Sequence, residues 1–433
     1  MMRFFLLLLL LLLASPVVAQ PYASPDTLPV PPGTPDELLI RPERTGWYET
    51  SRYDDVTAFL DVLVPMDPKM HRSFYGYSVE GRPLPLVVWG DVADASPEAV
   101  MASGKVRVWV QANIHAGEVC GKEAVLRLLR ELAMGEHADW ADDVVLLFAP
   151  IHNADGNERV RLDNRPNQLG PLGGMGQRPN ADGFDLNRDQ VKLASPEARG
   201  FVRALRDYEP HVVMDLHTTD GSFHGYHLTY APGLHPGSPE ATTRLLRDRL
   251  LPDVTASLES DDDLFVYHYG NFNGFRRLPN QGDPVWNTFD WRPRFATNYA
   301  GLRGHLAILS EAYSYLSFAD RVHATERFVE EVIDWAAAHP GDVRAAFDAG
   351  RAMPDQVALN AKLSDGQTRP ILVGSVDTLR HPATGETVFL RRDAVTPTPM
   401  RDLTAFDPLD QVAPPSSSPT RWTRSSNASR RMG

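Results

Sequence analysis

His115 and Glu118 have the residue types and the spacing of two ligands of one metal ion. They follow the apolar run 106–110 closely. At positions i and i+3, both side chains can lie on one face of a single helical turn. An imidazole nitrogen and a carboxylate oxygen suit zinc, and a catalytic zinc usually has three protein ligands and one open position. The pair therefore predicts a third ligand elsewhere in the chain, together with a base.

Four histidines are candidates for the third ligand: His152, His217, His224 and His227. His217 ends the apolar run 212–216, so it is expected at the edge of a sheet. His224 and His227 come later, in a glycine-containing loop. The motif His-Glu-x-x-His is absent from the sequence, which excludes the zinc site of the thermolysin type. These observations favour His217.

A zinc hydrolase also needs a carboxylate that takes a proton from the attacking water and passes it to the leaving group. Glu311 directly follows the apolar run 306–309 and Ser310, and it is the best placed candidate for this carboxylate. The alternative is a surface glutamate at the start of a helix.

Four apolar runs must position these residues, and each ends in polar side chains. Each run is short and rich in β-branched or large apolar residues, as expected for strands buried on both faces. They are 106–114, 144–151, 211–216 and 305–309. Helical patterns alternate with them: 118–132, 196–208, 242–251 and 325–338. This alternation predicts an α/β fold with a mixed, largely parallel central sheet flanked by helices. Sites in such folds form outside the carboxyl ends of the strands.

The chain divides by composition into five parts. They are a signal peptide (1–19), a proline-rich arm or linker (20–45), a catalytic domain (46–340), a small β-rich extension (341–411) and a disordered tail (412–433). The apolar run of the leader is too short for a membrane span, and a soluble-looking chain follows it; an uncleaved N-terminal anchor is the alternative. It predicts a secreted or periplasmic protein with no stable membrane insertion after its removal.

Charge and cysteine content limit the possible partners and the source of stability. The formal net charge of −13 argues against nucleic acid as a partner. The single cysteine, Cys120, excludes an internal disulfide framework. A chain of 433 residues is long enough to be stabilised by a hydrophobic core instead.

The ordered set of motifs resembles the zinc carboxypeptidase family, the metallocarboxypeptidases of the carboxypeptidase A type. The family's hallmarks are His-x-x-Glu, a later Asn-Arg pair, a later ligand histidine and a late glutamate base. All four occur here in that order, with Asn187-Arg188 as the pair. The segment 153–156, Asn-Ala-Asp-Gly, is similar to the family's Asn-Pro-Asp-Gly. The resemblance covers roughly residues 50–340.

The resemblance implies one zinc ion, held by His115, Glu118 and His217. Glu311 would be the general base and acid. Asp185 would accept the second N–H of His115 and so orient the ring, as carboxylates beside zinc-bound histidines do.

The resemblance also implies that Arg188, with Asn187, holds the terminal carboxylate of the substrate, because a guanidinium group can contact both oxygens. Asp189 follows this pair, where the digestive members of the family have an aromatic residue. That difference leaves the shape of the carboxylate pocket open.

Two further roles of the family match the sequence less directly. Arg165 is our choice for the arginine that stabilises the oxyanion, with Arg178 and Arg161 as competitors. Tyr299 is our choice for the tyrosine that contacts the end of the substrate, and a core tyrosine is the alternative.

The sequence therefore predicts a secreted zinc metallocarboxypeptidase that acts on peptides or proteins with a free C-terminus. One alternative is a zinc amidase or endopeptidase acting on cell-wall peptides or N-acyl amino acids. A second alternative is a non-catalytic binding protein that retains the same fold.

Overall fold

The computed structural model describes residues 27–219, 221–273, 276–352 and 356–413. The predicted signal peptide, and the predicted tail beyond residue 413, lie outside these ranges. The strands are β1 (Met70–Tyr77), β2 (Pro83–Trp89), β3 (Val106–Ala112), β4 (Val144–Ala149), β5 (Val212–Thr219), β6 (Leu228–Pro232), β7 (Val266–His268), β8 (Asn271–Phe272), β9 (Val285–Asn287), β10 (Leu306–Tyr313), β11 (Val357–Leu363), β12 (Thr368–Val373), β13 (Val376–Arg380), β14 (Thr387–Arg391), β15 (Thr396–Leu403) and β16 (Phe406–Val412).

Helices alternate with the strands of the first 300 residues. They are α1 (Arg41–Arg44), α2 (Tyr53–Leu63), α3 (Pro97–Ala102), α4 (Cys120–Ala133), α5 (Trp140–Asp143), α6 (Ala154–Glu158), α7 (Pro196–Tyr208), α8 (Glu240–Leu245), α9 (Leu251–Asp261), α10 (Ala296–Leu302), α11 (Phe318–Ala338) and α12 (Pro340–Gly350). A π-helical turn, Leu246–Leu250, joins α8 to α9. Short 3₁₀ turns occupy Asp36–Leu38, Val64–Met66 and Leu186–Arg188.

An eight-stranded mixed sheet forms the centre of the molecule, in the order β1-β2-β4-β3-β5-β10-β6-β7. The neighbours β4, β3, β5 and β10 run parallel, and so do β6 and β7, whereas the pairs β1–β2, β2–β4 and β10–β6 are antiparallel. The four parallel strands correspond to the four apolar runs, and β3, β4 and β5 are buried at every position. Burial on both faces explains their apolar composition. The expected α/β class with a mixed, largely parallel central sheet is confirmed.

Helices cover both faces of this sheet. On one face, Gly121 of α4 approaches the side chain of Leu216 so closely that a Cβ at this glycine would lie 2.6 Å from the leucine Cβ. On the other face, Trp109 of β3 contacts Phe201 of α7, and Trp109 pairs in register with Val213. Alternate residues of β5 therefore face different helices, as the two-residue repeat of a strand requires.

The arm that precedes the catalytic region packs onto α4 from residue 27 onwards. Arg130 of α4 donates to the carbonyl of Leu38 (3.1 Å) and to Oε2 of Glu43 (2.6 Å). Arg127 donates to the carbonyl of Pro29 (3.3 Å) and to Oε1 of Glu43 (2.8 Å). These buried arginines satisfy carbonyl groups of the arm and hold it against the helix.

The C-terminal extension begins with a helix and continues as strands. Residues 340–350 form α12, which packs on α8 and β3, so the strand-rich part begins at Val357. There β11 pairs with β16 and β13 with β14, while β12 and β15 form one sheet with β9 and β8. This last sheet joins the extension to a strand that comes before β10 in the chain.

The described residues contain no helix that is both long enough and apolar enough to cross a membrane.

Candidate metal centre and active site

His217 and Glu311 lie side by side at the carboxyl edge of the central sheet. They are register partners on the parallel strands β5 and β10, so both side chains leave the sheet on the same face. Asp215, two residues before His217, lies on that face as well. The sheet therefore brings together the two functional residues that are furthest from His115 in sequence.

His115 and Glu118 lie in a tight turn between β3 and α4. The amide of Glu118 donates to the carbonyl of His115 (2.9 Å), and the helix begins only at Cys120. The prediction that a helix starts at residue 118 was therefore two residues early, and the pair shares a turn that precedes the helix. Asn113 begins this turn in the left-handed region (φ 64°), which asparagine tolerates better than most residues.

Gly117 allows a neighbouring loop to lie directly over this turn. A Cβ at position 117 would lie 2.7 Å from the carbonyl oxygen of Gly176 and 3.2 Å from Cγ of Arg165. Only glycine permits both approaches. The close packing brings the arginine-bearing loop to the two candidate ligands.

His115, Glu118 and His217 converge on one point. Their ligand atoms all lie within 4.8 Å of one another, and all three residues are buried. Nδ1 of His115 lies 3.0 Å from Oε1 of Glu118, and Nδ1 of His217 lies 2.8 Å from Oε2 of the same carboxylate. The two imidazole rings meet edge to face with their centroids 4.9 Å apart. Two inward-facing nitrogens and one carboxylate form the donor set of a zinc site with room for a further ligand.

A carboxylate holds the outer nitrogen of each histidine. Oδ1 of Asp185 lies 3.0 Å from Nε2 of His115, and Oδ2 of Asp215 lies 2.9 Å from Nε2 of His217. Such contacts fix the tautomer that presents Nδ1 to a metal. The contact between Asp185 and His115 is the one that the resemblance implied. Asp215 was missed, although an aspartate two residues before a ligand histidine on a strand must share its face.

The acid–base properties of the ligands reflect their mutual contacts. Burial would raise the pKa of Glu118, but His115 and the Arg165 guanidinium outweigh it and hold the pKa well below its usual range. Burial would lower the pKa of His217, but Asp215 and Glu118 raise it well above the ordinary value. These three residues, His115, Glu118 and His217, are called the triad below. Their mutual contacts keep the carboxylate of Glu118 ionised, as a metal ligand must be.

Glu311 has the opposite tendency. Burial, with the nearby charge of Glu118, raises its pKa to about 8, against the lowering influence of His217 and Arg165. A carboxyl group with a pKa near neutrality can both accept and return a proton. A cation held by the triad would lower this pKa.

The other candidate histidines have structural roles. Nδ1 of His152 lies 2.8 Å from the hydroxyl of Tyr75, and burial lowers its pKa to about 4. His224 accepts the amide of Tyr226 (3.3 Å), and His227 accepts the amide of Phe265 (2.9 Å). Among the histidines considered, His217 is the one that joins His115 and Glu118 in the described part of the chain.

The structure separates the three arginines that were considered for the oxyanion. Arg165 donates from Nη2 to Oε1 of Glu118 and is largely buried. Arg178 places Nη1 3.6 Å from the same oxygen and donates from Nε to Oδ2 of Asp185 (2.9 Å). Arg161 instead pairs with Asp163, with 69% of its side chain exposed. Arg165 and Arg178 both line the cleft beside the triad, and Arg161 does not.

Asn187 and Arg188 lie in the 3₁₀ turn that follows Asp185. The side-chain amide of Asn187 lies 3.4 Å from Nε2 of His217, and its carbonyl accepts the amide of Ala296 (2.8 Å). Arg188 lies against the ring of Phe295, with its guanidinium carbon 4.0 Å from the centroid, and faces the cleft.

Asp189, the departure from the family pattern, does not line the cleft. Its carboxylate accepts the amide of Ala194 (3.0 Å) and both the amide and the hydroxyl of Ser195 (2.7 and 2.8 Å). It therefore holds the loop that leads into α7, where the side chain of Ser195 caps the helix by accepting the amide of Ala198.

Tyr299 is not brought to the cleft. It lies on α10, packs against the main hydrophobic core and has the guanidinium group of Arg303 over its ring. Tyr269 lines the cleft instead, with Phe289 and Leu309. Tyr269 follows β7, a three-residue strand whose sequence carried no strong signal.

His115, Glu118 and Glu311 line one cleft together with Arg165, Arg178 and Arg188, and its volume is about 460 Å³. The lining also includes the apolar side chains of Tyr269, Phe289, Phe295 and Leu309. The residues lining it, in chain order, are His115, Glu118, Arg165, Arg178, Asn187, Arg188, Thr218, Thr219, Tyr269, Thr288, Phe289, Asp290, Arg294, Phe295, Thr297, Leu309 and Glu311.

Comparison with known proteins identifies the same region. Residues 56–227 match the family model of zinc carboxypeptidases. This segment contains the triad and the Asn187-Arg188 pair, whereas Glu311 lies outside it.

Two curated relatives show the same relation. Carboxypeptidase 2 of Trichophyton tonsurans is 31% identical over 144 residues, which cover 32% of this chain and 23% of that protein. Carboxypeptidase D of Homo sapiens is 28% identical over 245 residues, covering 50% of this chain and 17% of that protein. The chain thus spans about a quarter or less of the length of these relatives.

A solved structure is similar in fold. The crystal structure of thrombin activatable fibrinolysis inhibitor aligns with a TM-score of 0.51 at 13% identity, over 72% of this chain and 83% of that one. The matched family model and the named relatives, together with the sheet and the triad at its edge, lead to one conclusion: this chain contains a region, residues 56–227, that is similar to the zinc carboxypeptidases.

Proposed function

We propose that this chain is a zinc-dependent carboxypeptidase that removes the last residue from peptides with a free carboxyl end. One observation carries the proposal: His115 and Glu118 line the same cleft as Glu311 and Arg188, and His217 contacts the Glu118 carboxylate (2.8 Å). The predicted leader in residues 1–19 supports a location outside the cytoplasm.

In this proposal His115, Glu118 and His217 hold the zinc ion. When bound, zinc would act as a Lewis acid that polarises the peptide carbonyl and makes a water molecule more acidic. Asp185 and Asp215 keep both imidazoles turned toward it.

Glu311 handles the protons. Its carboxylate takes a proton from the water as the water oxygen bonds to the carbonyl carbon. The same group then gives the proton to the amine nitrogen as the carbon–nitrogen bond breaks, so one residue serves both steps.

The arginines bind the negative charges of the substrate. Arg165, our choice, or Arg178 beside it stabilises the charge that develops on the carbonyl oxygen, because donors fixed in advance need no reorganisation. Arg188, with Asn187, binds the terminal carboxylate and so selects the end of a chain.

The first prediction concerns Glu311→Gln. This change removes the proton acceptor but preserves shape, so we expect kcat to fall by about 10²–10⁴-fold while zinc content, measured by mass spectrometry of the metal, stays unchanged. Glu240→Gln is the matched control, since that side chain is 79% exposed and lies on α8.

The free carboxylate is tested with paired substrates. A blocked dipeptide should be hydrolysed far faster as the free acid than as its C-terminal amide. Equal rates would contradict the exopeptidase assignment, and a clear preference for cell-wall peptides or N-acyl amino acids would favour the amidase alternative. An unchanged turnover in Glu311→Gln would contradict the role of this residue.

A further inference from the structure

Two guanidinium groups lie against the same aromatic ring on the wall of the cleft. The guanidinium carbon of Arg188 is 4.0 Å from the centroid of Phe295, and that of Arg294 is 5.3 Å from it. Both arginines line the cleft that contains the triad. The ring stabilises each cation and fixes the two charges close together.

Arg188 has no carboxylate of its own within 4.0 Å among the residues that the structure describes. Its Nη1 donates to the backbone carbonyl of Asn187 (2.7 Å). Burial lowers its pKa against the raising influence of Asp185 and Asp290, and the neighbouring charges of Arg178 and Arg294 lower it further. An anion from outside would relieve this repulsion.

Arg294 is only partly neutralised. Its Nη2 donates to Oδ2 of Asp290 (2.9 Å), but Nη1 of Arg292 donates to that same oxygen (2.7 Å). One carboxylate thus serves two arginines, so this corner of the cleft keeps an excess positive charge. The side chain of Arg294 is 44% exposed, which leaves it accessible to a ligand.

The cleft as a whole is rich in cations although the chain is acidic. Among the described residues four arginines line it, beside the three carboxyl groups of Glu118, Asp290 and Glu311, in a protein with a formal net charge of −13. A zinc ion would add two further positive charges, and a single terminal carboxylate would balance only part of the total. Such a concentration of one sign of charge selects anionic ligands.

The rest of the wall suits a short side chain that ends in a polar group. Leu309, Tyr269 and Phe289 provide apolar surface for methylene groups, while Thr288 and Thr297 provide hydroxyls. A carboxylate on a short methylene stem matches this combination of apolar wall and cationic end.

We propose that the cleft selects peptides whose last residue is aspartate or glutamate, with Arg188 binding the α-carboxylate and Arg294 the side-chain carboxylate. This inference rests on the proposed carboxypeptidase function and names its substrate class. Arg294 would be the residue that determines specificity.

The test compares four blocked dipeptides that end in glutamate, glutamine, lysine or phenylalanine. We expect kcat/KM for the glutamate peptide to exceed that for the glutamine peptide by about 10- to 100-fold, the range of a charge-assisted hydrogen bond. Arg294→Gln should bring this ratio close to one, mainly through KM, while hydrolysis of the glutamine peptide is retained.

Arg292→Gln is the matched control. Arg292 donates to the same oxygen of Asp290, but it does not line the cleft of the triad. This variant should keep the preference for glutamate. Equal thermal unfolding temperatures and zinc contents would show that both variants are folded and loaded.

The outcomes separate the inference from the proposed function. Efficient hydrolysis of the lysine or phenylalanine peptide, or equal losses in the two arginine variants, would overturn the acidic specificity and leave the carboxypeptidase intact. Failure to hydrolyse any of the four peptides would contradict the function. Calorimetric binding of free glutamate against glutamine would then still test Arg294, and equal affinities would overturn its role.

Discussion

Each histidine of the triad is oriented by a carboxylate, and the two carboxylates come from different parts of the fold. Asp185 precedes a 3₁₀ turn, whereas Asp215 is in a strand and is 2% exposed. Asp215 also accepts a hydrogen bond from the side-chain amide of Gln111 (3.3 Å). The orientation of His217 is therefore set inside the sheet, away from solvent.

Asp215→Asn should weaken zinc binding about 10- to 100-fold, because the amide cannot stabilise the tautomer that presents Nδ1. Competition with a chelator of known affinity measures this change. The control is Asp334→Asn, which alters a carboxylate that accepts the indole N–H of Trp140 (2.6 Å) on a distant helix. Unchanged zinc affinity in Asp215→Asn would contradict the orienting role.

At this scale, sequence reasoning could find the residues that carry recognisable chemistry. His115 and Glu118 lie in the turn that follows β3, and His217 lies near the end of β5, so the ends of two strands that the apolar runs defined bring the three residues together. Tyr299 was harder, since a tyrosine with that spacing can face either side of a short helix. The helix turns it toward the core, and only packing decides this.

At the scale of elements, the strands were easier to predict than the segments that join them. Burial on both faces produces an uninterrupted apolar run, so β3 and β5 were recognisable. The turn before α4 was not recognisable from the sequence, because its position depends on the close approach of Gly176 to Gly117. That contact comes from a loop about sixty residues later in the chain, which local patterns do not reveal.

The buried interface between α4 and α11 contains several acidic side chains, although burial disfavours their charged forms. Glu326 and Glu330 lie one turn apart on α11, near Glu131 of α4. Burial and the charge of Glu326 raise the pKa of Glu330 to about 8, and burial raises that of Glu326 to about 7, against the opposing influence of Arg127.

These shifts predict a pH-dependent stability. Both folded-state pKa values exceed the unfolded value of about 4.3, so the folded chain holds more protons between these limits. The contribution of these two carboxyl groups to the free energy of unfolding should therefore be greatest at the acidic end and fall as the pH rises from about 4.5 to about 8. Chemical denaturation at several pH values measures this slope.

Glu330→Gln should flatten the slope, because glutamine keeps the shape and removes the titration. Glu331→Gln is the matched control: Glu331 also pairs with Arg327 (2.8 Å) but is more exposed, at 14% against 5% of its side chain. An identical slope in the wild type and Glu330→Gln would contradict this account.

At the scale of the whole molecule, the C-terminal extension is part of the cleft's construction. β15 pairs in parallel with β9, and the amide of Thr288 donates to the carbonyl of Leu403 (3.0 Å). Thr288 and Phe289 follow β9 directly and line the cleft. A division of the chain by composition could not show this, because strand pairing between distant segments leaves no local pattern.

Met400→Ala tests this connection. Met400 is 1% exposed and packs with Trp286 of β9 in a small core. The cavity should lower the free energy of unfolding by about 2–5 kcal/mol and raise KM, because β9 leads into the cleft wall. Urea denaturation and steady-state kinetics measure the two effects.

Leu409→Ala is the control, since that side chain is 52% exposed on β16. If Met400→Ala unfolded the extension in a separate transition and left KM unchanged, the extension would be an independent unit.

The pairing of β9 with β15 also sets an order of events during synthesis. Glu311, the last residue of the proposed catalytic set, leaves the ribosome about ninety residues before Leu403 does. The triad and its base can assemble during that interval, but the strand that supports the cleft wall is still missing. The proposed peptide-trimming activity should therefore emerge only after β15 has left the ribosome and paired with β9.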